Sequence, residues 1–200
     1  MKALRVLLII ALTTPALAQV KAPKGGLKVT ISADTTPIAT ETPKPTPRAP
    51  LPPVVDFKKL LALLPKVPAG WTAEEPNGSL TDLEVFQLST AARIYEKGDD
   101  ETALVTTVTL IDAGGHKGYF EAVTGRWQFK SVTPEAIDRA VEIDGMPGFE
   151  HIDRVNKTAS LSVLVGNRYF VQIDTRNQPE QELREWLKRL DLKALAELKP

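Results

Sequence analysis

The chain has 200 residues, 25 of them basic and 25 acidic, 42% hydrophobic residues and no cysteine. That length suits one folded domain, and a formal net charge of zero leaves no electrostatic footprint for nucleic acid. Without cysteine there are no disulfides, thiol nucleophiles or cysteine metal ligands, so a core has to hold by burial alone.

In chain order, Lys2 and Arg5 precede an apolar run from Val6 to Leu12, and the small residues Ala16, Leu17 and Ala18 follow. This pattern predicts a secretory signal peptide over residues 1–18, cut after Ala18. The apolar run is far shorter than the roughly 20 residues that cross a bilayer, and no later segment replaces it. The expected product is a periplasmic or secreted chain with no membrane span, and lipid attachment at a cysteine is ruled out.

Residues 19–53 read as a disordered Pro/Thr-rich linker, because Pro37, Pro43, Pro45, Pro47, Pro50, Pro52 and Pro53 lie too densely for a helix or a central strand. Alternation of Leu27, Val29 and Ile31 marks one short strand candidate within it. Seven basic and two acidic residues precede Val54, which leaves residues 54–200 with a net charge of −5 and the signal and linker with the compensating positive charge.

From Val54 onward the pattern becomes that of a folding domain. Asp56 is placed as an N-cap, and Phe57, Leu60, Leu61 and Leu64 repeat on one helical face until Pro65 ends the helix. These four side chains are expected to bury against a sheet. Pro68, Ala69 and Gly70 turn the chain into a strand start at Trp71, and Pro76, Asn77, Gly78 and Ser79 read as a further turn. Residues 91–96 and 103–111 alternate as strands on either side of Gly98, Asp99 and Asp100. The second of these is apolar on both faces, as a central strand is.

A glycine-rich loop, Asp112 to Gly118, leads to a short helix around Tyr119 to Val123. Four strands then follow over residues 138–143, 149–155, 158–165 and 168–174, divided by turns at Asp144–Gly145, Asn156–Lys157 and Gly166–Asn167. Asn177 reads as the cap of a last helix with Glu180 three residues on, whose stripe is Leu183, Trp186, Leu187 and Leu190; Leu192 and Leu195 continue it. The sum is one α+β domain over 54–200, an antiparallel sheet of about six to seven strands covered by N- and C-terminal helices.

The order of elements, a PxGW opening at Pro68, Ala69, Gly70 and Trp71, and an AxRxY strand from Ala91 to Tyr95 resemble the PsbP/Mog1-like sandwich and small exported bacterial domains of uncharacterised function. The resemblance covers Val54 to Leu198. It implies a non-enzymatic accessory or binding role and transfers no functional residue.

Groups able to do chemistry are few. The chain has two histidines, His116 and His151, and no GxSxG, HExxH, EF-hand or GxxxxGK[ST] pattern. The loop from Asp112 to Lys117 gathers Asp112, His116 and Lys117, which would serve as a general base or ligand set in an alternative reading as a hydrolase or metal-dependent enzyme. Trp71 and Trp127 lie near strand ends, where rings can line a ligand groove, and Arg126, Arg154 and Arg168 would decorate one end of the sheet. The leading expectation is a non-catalytic, exported binding or accessory domain of the bacterial envelope. No cofactor is expected, the partner is an envelope protein or a small ligand, and nucleic acid is not involved.

Overall fold

The computed structural model describes residues 51–83 and 85–200; the expected signal peptide, the linker up to residue 50 and the Leu27 to Ile31 stretch lie outside these residues. The chain runs through α1 (Phe57–Leu61), β1 (Thr72–Ala73), β2 (Asn77–Leu83), β3 (Phe86–Lys97) and β4 (Leu104–Asp112). It continues through α2 (Lys117–Thr124), a 3₁₀ turn (Gly125–Gln128), β5 (Ser131–Val132), β6 (Ala136–Ile143) and β7 (Met146–Asp153). It closes with β8 (Thr158–Val165), β9 (Tyr169–Arg176), α3 (Glu182–Leu187) and α4 (Leu192–Glu197).

The nine strands of the described residues join one antiparallel sheet in the order β1-β3-β4-β9-β8-β7-β6-β5, and β2 shares the outer edge of β3 with β1. The architecture is therefore α+β and dominated by its sheet, with helices of only five to eight residues among the described ones. Helices that short are marginal alone and owe their place to packing. None is long and apolar enough to cross a membrane.

Alternation sorts the side chains to two faces. On one, Val108, Leu110, Leu161, Val163, Val171 and Ile173 meet Leu60 of α1, Leu183, Trp186 and Leu187 of α3, and Leu195 of α4 in the main core. On the other, a smaller cluster of Trp127, Phe149 and Phe170 is packed by Tyr119, Phe120 and Val123 of α2. That cover reaches only one end of the second face.

Several expectations change in the fold. The sheet has nine strands rather than six or seven. Asn77, Gly78 and Ser79 lie inside β2 instead of a turn, because Gly78 sits beneath the Phe57 ring, where an added Cβ would stand 2.5 Å from Cδ2. The glycine answers a close approach, which local turn statistics do not register. Asp112 is the last residue of β4 rather than part of a loop. Asn177 does not cap the last helix: it adopts a left-handed φ of 59°, its amide donates to the carbonyls of Glu101 and Ala103, and α3 begins only at Glu182.

The first helix is one turn with a tightened end, held by Asp56 accepting from the Lys58 amide. Of its stripe Leu60 is fully buried, whereas Phe57, Leu61 and Leu64 are half-buried. The turn at Asp144–Gly145 has positive φ at both residues, as a tight hairpin that matches strand twist requires.

Candidate functional site

Each residue singled out in the sequence is engaged locally. The Asp112 carboxylate is completely buried. Its Oδ2 accepts from the Val55 amide at 2.7 Å and from Arg168 Nη2 at 2.8 Å, and its Oδ1 accepts from the Gly114 amide at 2.8 Å and Arg168 Nε at 3.0 Å. Arg168 also donates to the Pro53 carbonyl at 2.8 Å, so a two-pronged ion pair fastens the incoming chain to the end of β4. These bonds to Asp112 hold the Arg168 guanidinium above its ordinary value. Gly114 completes the joint, since a Cβ there would stand 2.8 Å from the Pro52 oxygen.

His116 is the N-cap of α2, its Nδ1 accepting from the Tyr119 amide at 3.2 Å while the ring stacks on Phe86 at 4.9 Å. Lys117 is exposed and pairs with Glu121 at 3.5 Å, a helical contact of small energetic weight. Trp71 is half-buried, edge-on to Trp186 at 5.0 Å. Trp127 is buried in the smaller cluster. Asp112 faces the main core while His116 belongs to the helix on the opposite face, so the loop does not gather them.

The arginines are dispersed too. Arg168 serves Asp112, Arg154 pairs with Glu180 at 2.8 Å, and Arg126 lies over the Phe149 ring at 5.6 Å. In the core-side groove between α3 and the β6–β7 turn, a cavity of about 560 Å³, the cations are already paired: Arg184 with buried Glu150 at 2.9 Å and Lys188 with Glu185 at 2.7 Å.

What the sheet does gather is a polar row that sequence reading missed. On the face away from the main core, Asp138, His151, Ser160 and Asp174 stand opposite one another across β6, β7, β8 and β9. Ser131 on β5 and Thr107 on β4 extend the row at its two ends. Asp138 Oδ1 and His151 Nδ1 are 2.8 Å apart, with 37% and 41% of the side chains exposed. Ser160 Oγ donates to Asp174 Oδ1 at 2.6 Å, and Gln172 Nε2 donates to Asp174 Oδ2 at 3.0 Å. A second row, Phe149, Ser162, Gln172 and Thr109, runs beside it toward α2.

Arg126, carried by the 3₁₀ turn, borders two shallow depressions on this face. One, of about 340 Å³, is lined by Arg126, Phe129, Ser131, Asp138, Phe149 and His151. The other, of about 220 Å³, includes Trp127, Ser160, Ser162 and Gln172. Strand alternation and the position of the Asp144–Gly145 turn carry the only sequence signal for the row: counting outward from that turn sets Asp138 opposite His151. Compared with protein-family models, curated proteins and solved structures, the chain matches none.

Proposed function

We propose that the chain is a non-catalytic, exported binding or accessory module of the bacterial envelope that takes its ligand on the open polar face of β5–β9. The observation that carries this reading is the wiring of the Asp138, His151, Ser160 and Asp174 row. A serine nucleophile has to pass its proton to the free nitrogen of a histidine that a carboxylate orients. The Asp138–His151 pair has that form, yet the Ser160 hydroxyl donates its hydrogen bond to Asp174 instead of to the imidazole. Ser160 also sits inside β8, between β7 and β9, where backbone amides are engaged in the ladders and none is left to stabilise an oxyanion. Groups wired in this way are held still, as a recognition surface requires.

Export is supported by Lys2 and Arg5 ahead of the Val6 to Leu12 run and by the Ala16 to Ala18 cut site. Packing of Leu60, Trp186 and Leu195 on one face supports the finer reading of a sheet covered on that face by the N- and C-terminal helices. An enzyme working from the loop between Asp112 and Lys117 has less to build on, because the Asp112 oxygens are filled by four hydrogen bonds and His116 is used as a helix cap. A fluorophosphonate probe, which labels activated serines, tests the choice. The full chain should show no labelling at Ser160; labelling that disappears in His151→Ala would overturn the binding reading.

A further inference from the structure

The chemistry of the open face narrows the ligand class, a step that rests on the binding reading above. We infer that the surface between β5 and β9 takes a saccharide of at least two rings lying across Arg126. The groups presented there are mixed: a guanidinium, the Asp138 carboxylate, the imidazole of His151, and the amide of Gln172. Arg126 has no ion-pair partner among the described residues. The hydroxyls of Ser162 and Thr109 and the Gln172 Oε1 have no hydrogen-bond partner among the described residues either.

A simple anion would meet Asp138 and Asp174 beside Arg126, with Arg176 further along β9 beyond Asp174, and a simple cation would meet Arg126. An apolar ligand would strip water from all these groups without replacing its hydrogen bonds. Hydroxyls both donate and accept, so a polyhydroxylated ligand satisfies either kind of group. An extended peptide binds best to an open strand edge; β7, β8 and β9, which carry His151, Ser160 and Gln172, have both edges engaged, and the open edge of β6 lies beyond Asp138, away from these side chains.

Two further features set the size and orientation. Phe129, 70% exposed at the rim of the first depression, offers an apolar plate for the C–H face of a pyranose. Depressions lie on both sides of Arg126, so separate rings occupy them and the guanidinium stands at the junction, where it takes a carboxylate substituent in a two-pronged bond.

The test is a titration of the isotope-labelled full chain, followed by backbone amide shifts, with neutral chitotetraose, with carboxylate-bearing hyaluronan tetrasaccharide, and with tetra-alanine as a peptide control. Saturable shifts at Ser160, Ser162 and Gln172 are expected with the saccharides. The carboxylated one should bind about tenfold more tightly, as an added two-pronged pair with an exposed arginine implies. Arg126→Ala should erase that difference, and Gln172→Ala should weaken both. Absence of saturable shifts at these residues with both saccharides overturns the inference. Shifts produced there by tetra-alanine alone overturn it too, while leaving the binding reading intact; labelling of Ser160 by the fluorophosphonate would remove that reading instead.

Discussion

The two faces of this sheet are made by the same strands, residue by alternate residue, yet they differ in what they store. Along β8, Ala159, Leu161, Val163 and Val165 are buried toward the helices, while Thr158, Ser160, Ser162 and Leu164 between them stay partly exposed. The buried face holds the burial free energy, about 1.5–3 kcal/mol for each large apolar side chain. Outside the Trp127, Phe149 and Phe170 cluster under α2, the other face contributes little to it and can carry polar groups chosen for contact with something else.

The largest effect expected from a single change is at the joint between the incoming chain and the buried face. Asp112→Ala leaves the Arg168 guanidinium and the Val55 and Gly114 amides without their acceptor, and should lower stability by about 3–5 kcal/mol in urea unfolding. A loss below about 1 kcal/mol would mean that water replaces the carboxylate and that the joint is peripheral.

Next comes Leu60→Ala, which should destabilise by about 2–5 kcal/mol through the cavity it opens under α1. Leu61, half-buried, should tolerate Asp better than Leu60 does, by thermal melting; equal losses at the two positions would show that the helix packs in a different rotation.

On the open face Gln172→Ala should shift stability by no more than about 0.5 kcal/mol, as surface changes do, while altering ligand binding. A loss as large as that at Leu60 would erase the distinction between the faces. The smallest effect concerns Asp153, whose carboxyl is held below its ordinary value of 3.8 by hydrogen bonds from the Asn156 amide and side chain. Its folded value is depressed, so its contribution is present above that ordinary value and is lost as pH falls through the folded one. Asp153→Asn should therefore flatten the acid limb of the stability curve slightly; an unchanged limb would mean that the contact is free of any linkage.

Legibility followed the range of the forces involved. The four strands from β6 to β9 lie close to their expected spans because the turns at Asp144–Gly145 and Gly166–Asn167 are encoded by adjacent residues with positive φ. Trp186 and Leu183 were legible as core from their helical spacing. Gly78 and Asn177 misled for one reason: each has turn-like chemistry, but the use made of it depends on a partner far along the chain, the Phe57 ring in one case and the Glu101 and Ala103 carbonyls in the other. The polar row was half legible, since a tight turn sets the register of Asp138 and His151, whereas the Ser160–Asp174 bond and the arrival of Arg126 over Phe149 required the whole sheet.

Local order, in the form of strand spans, turns, a helical stripe and the absence of thiols, is determined by the sequence itself, because neighbours in the chain suffice to specify it. The role of individual charged residues was decided only by tertiary structure. Asp112 became a buried clasp and His151 a member of a surface row because hydrogen-bond partners 57 and 13 residues away met them there. A charged side chain takes its chemistry from whichever groups desolvate and pair it, and those are chosen by the fold.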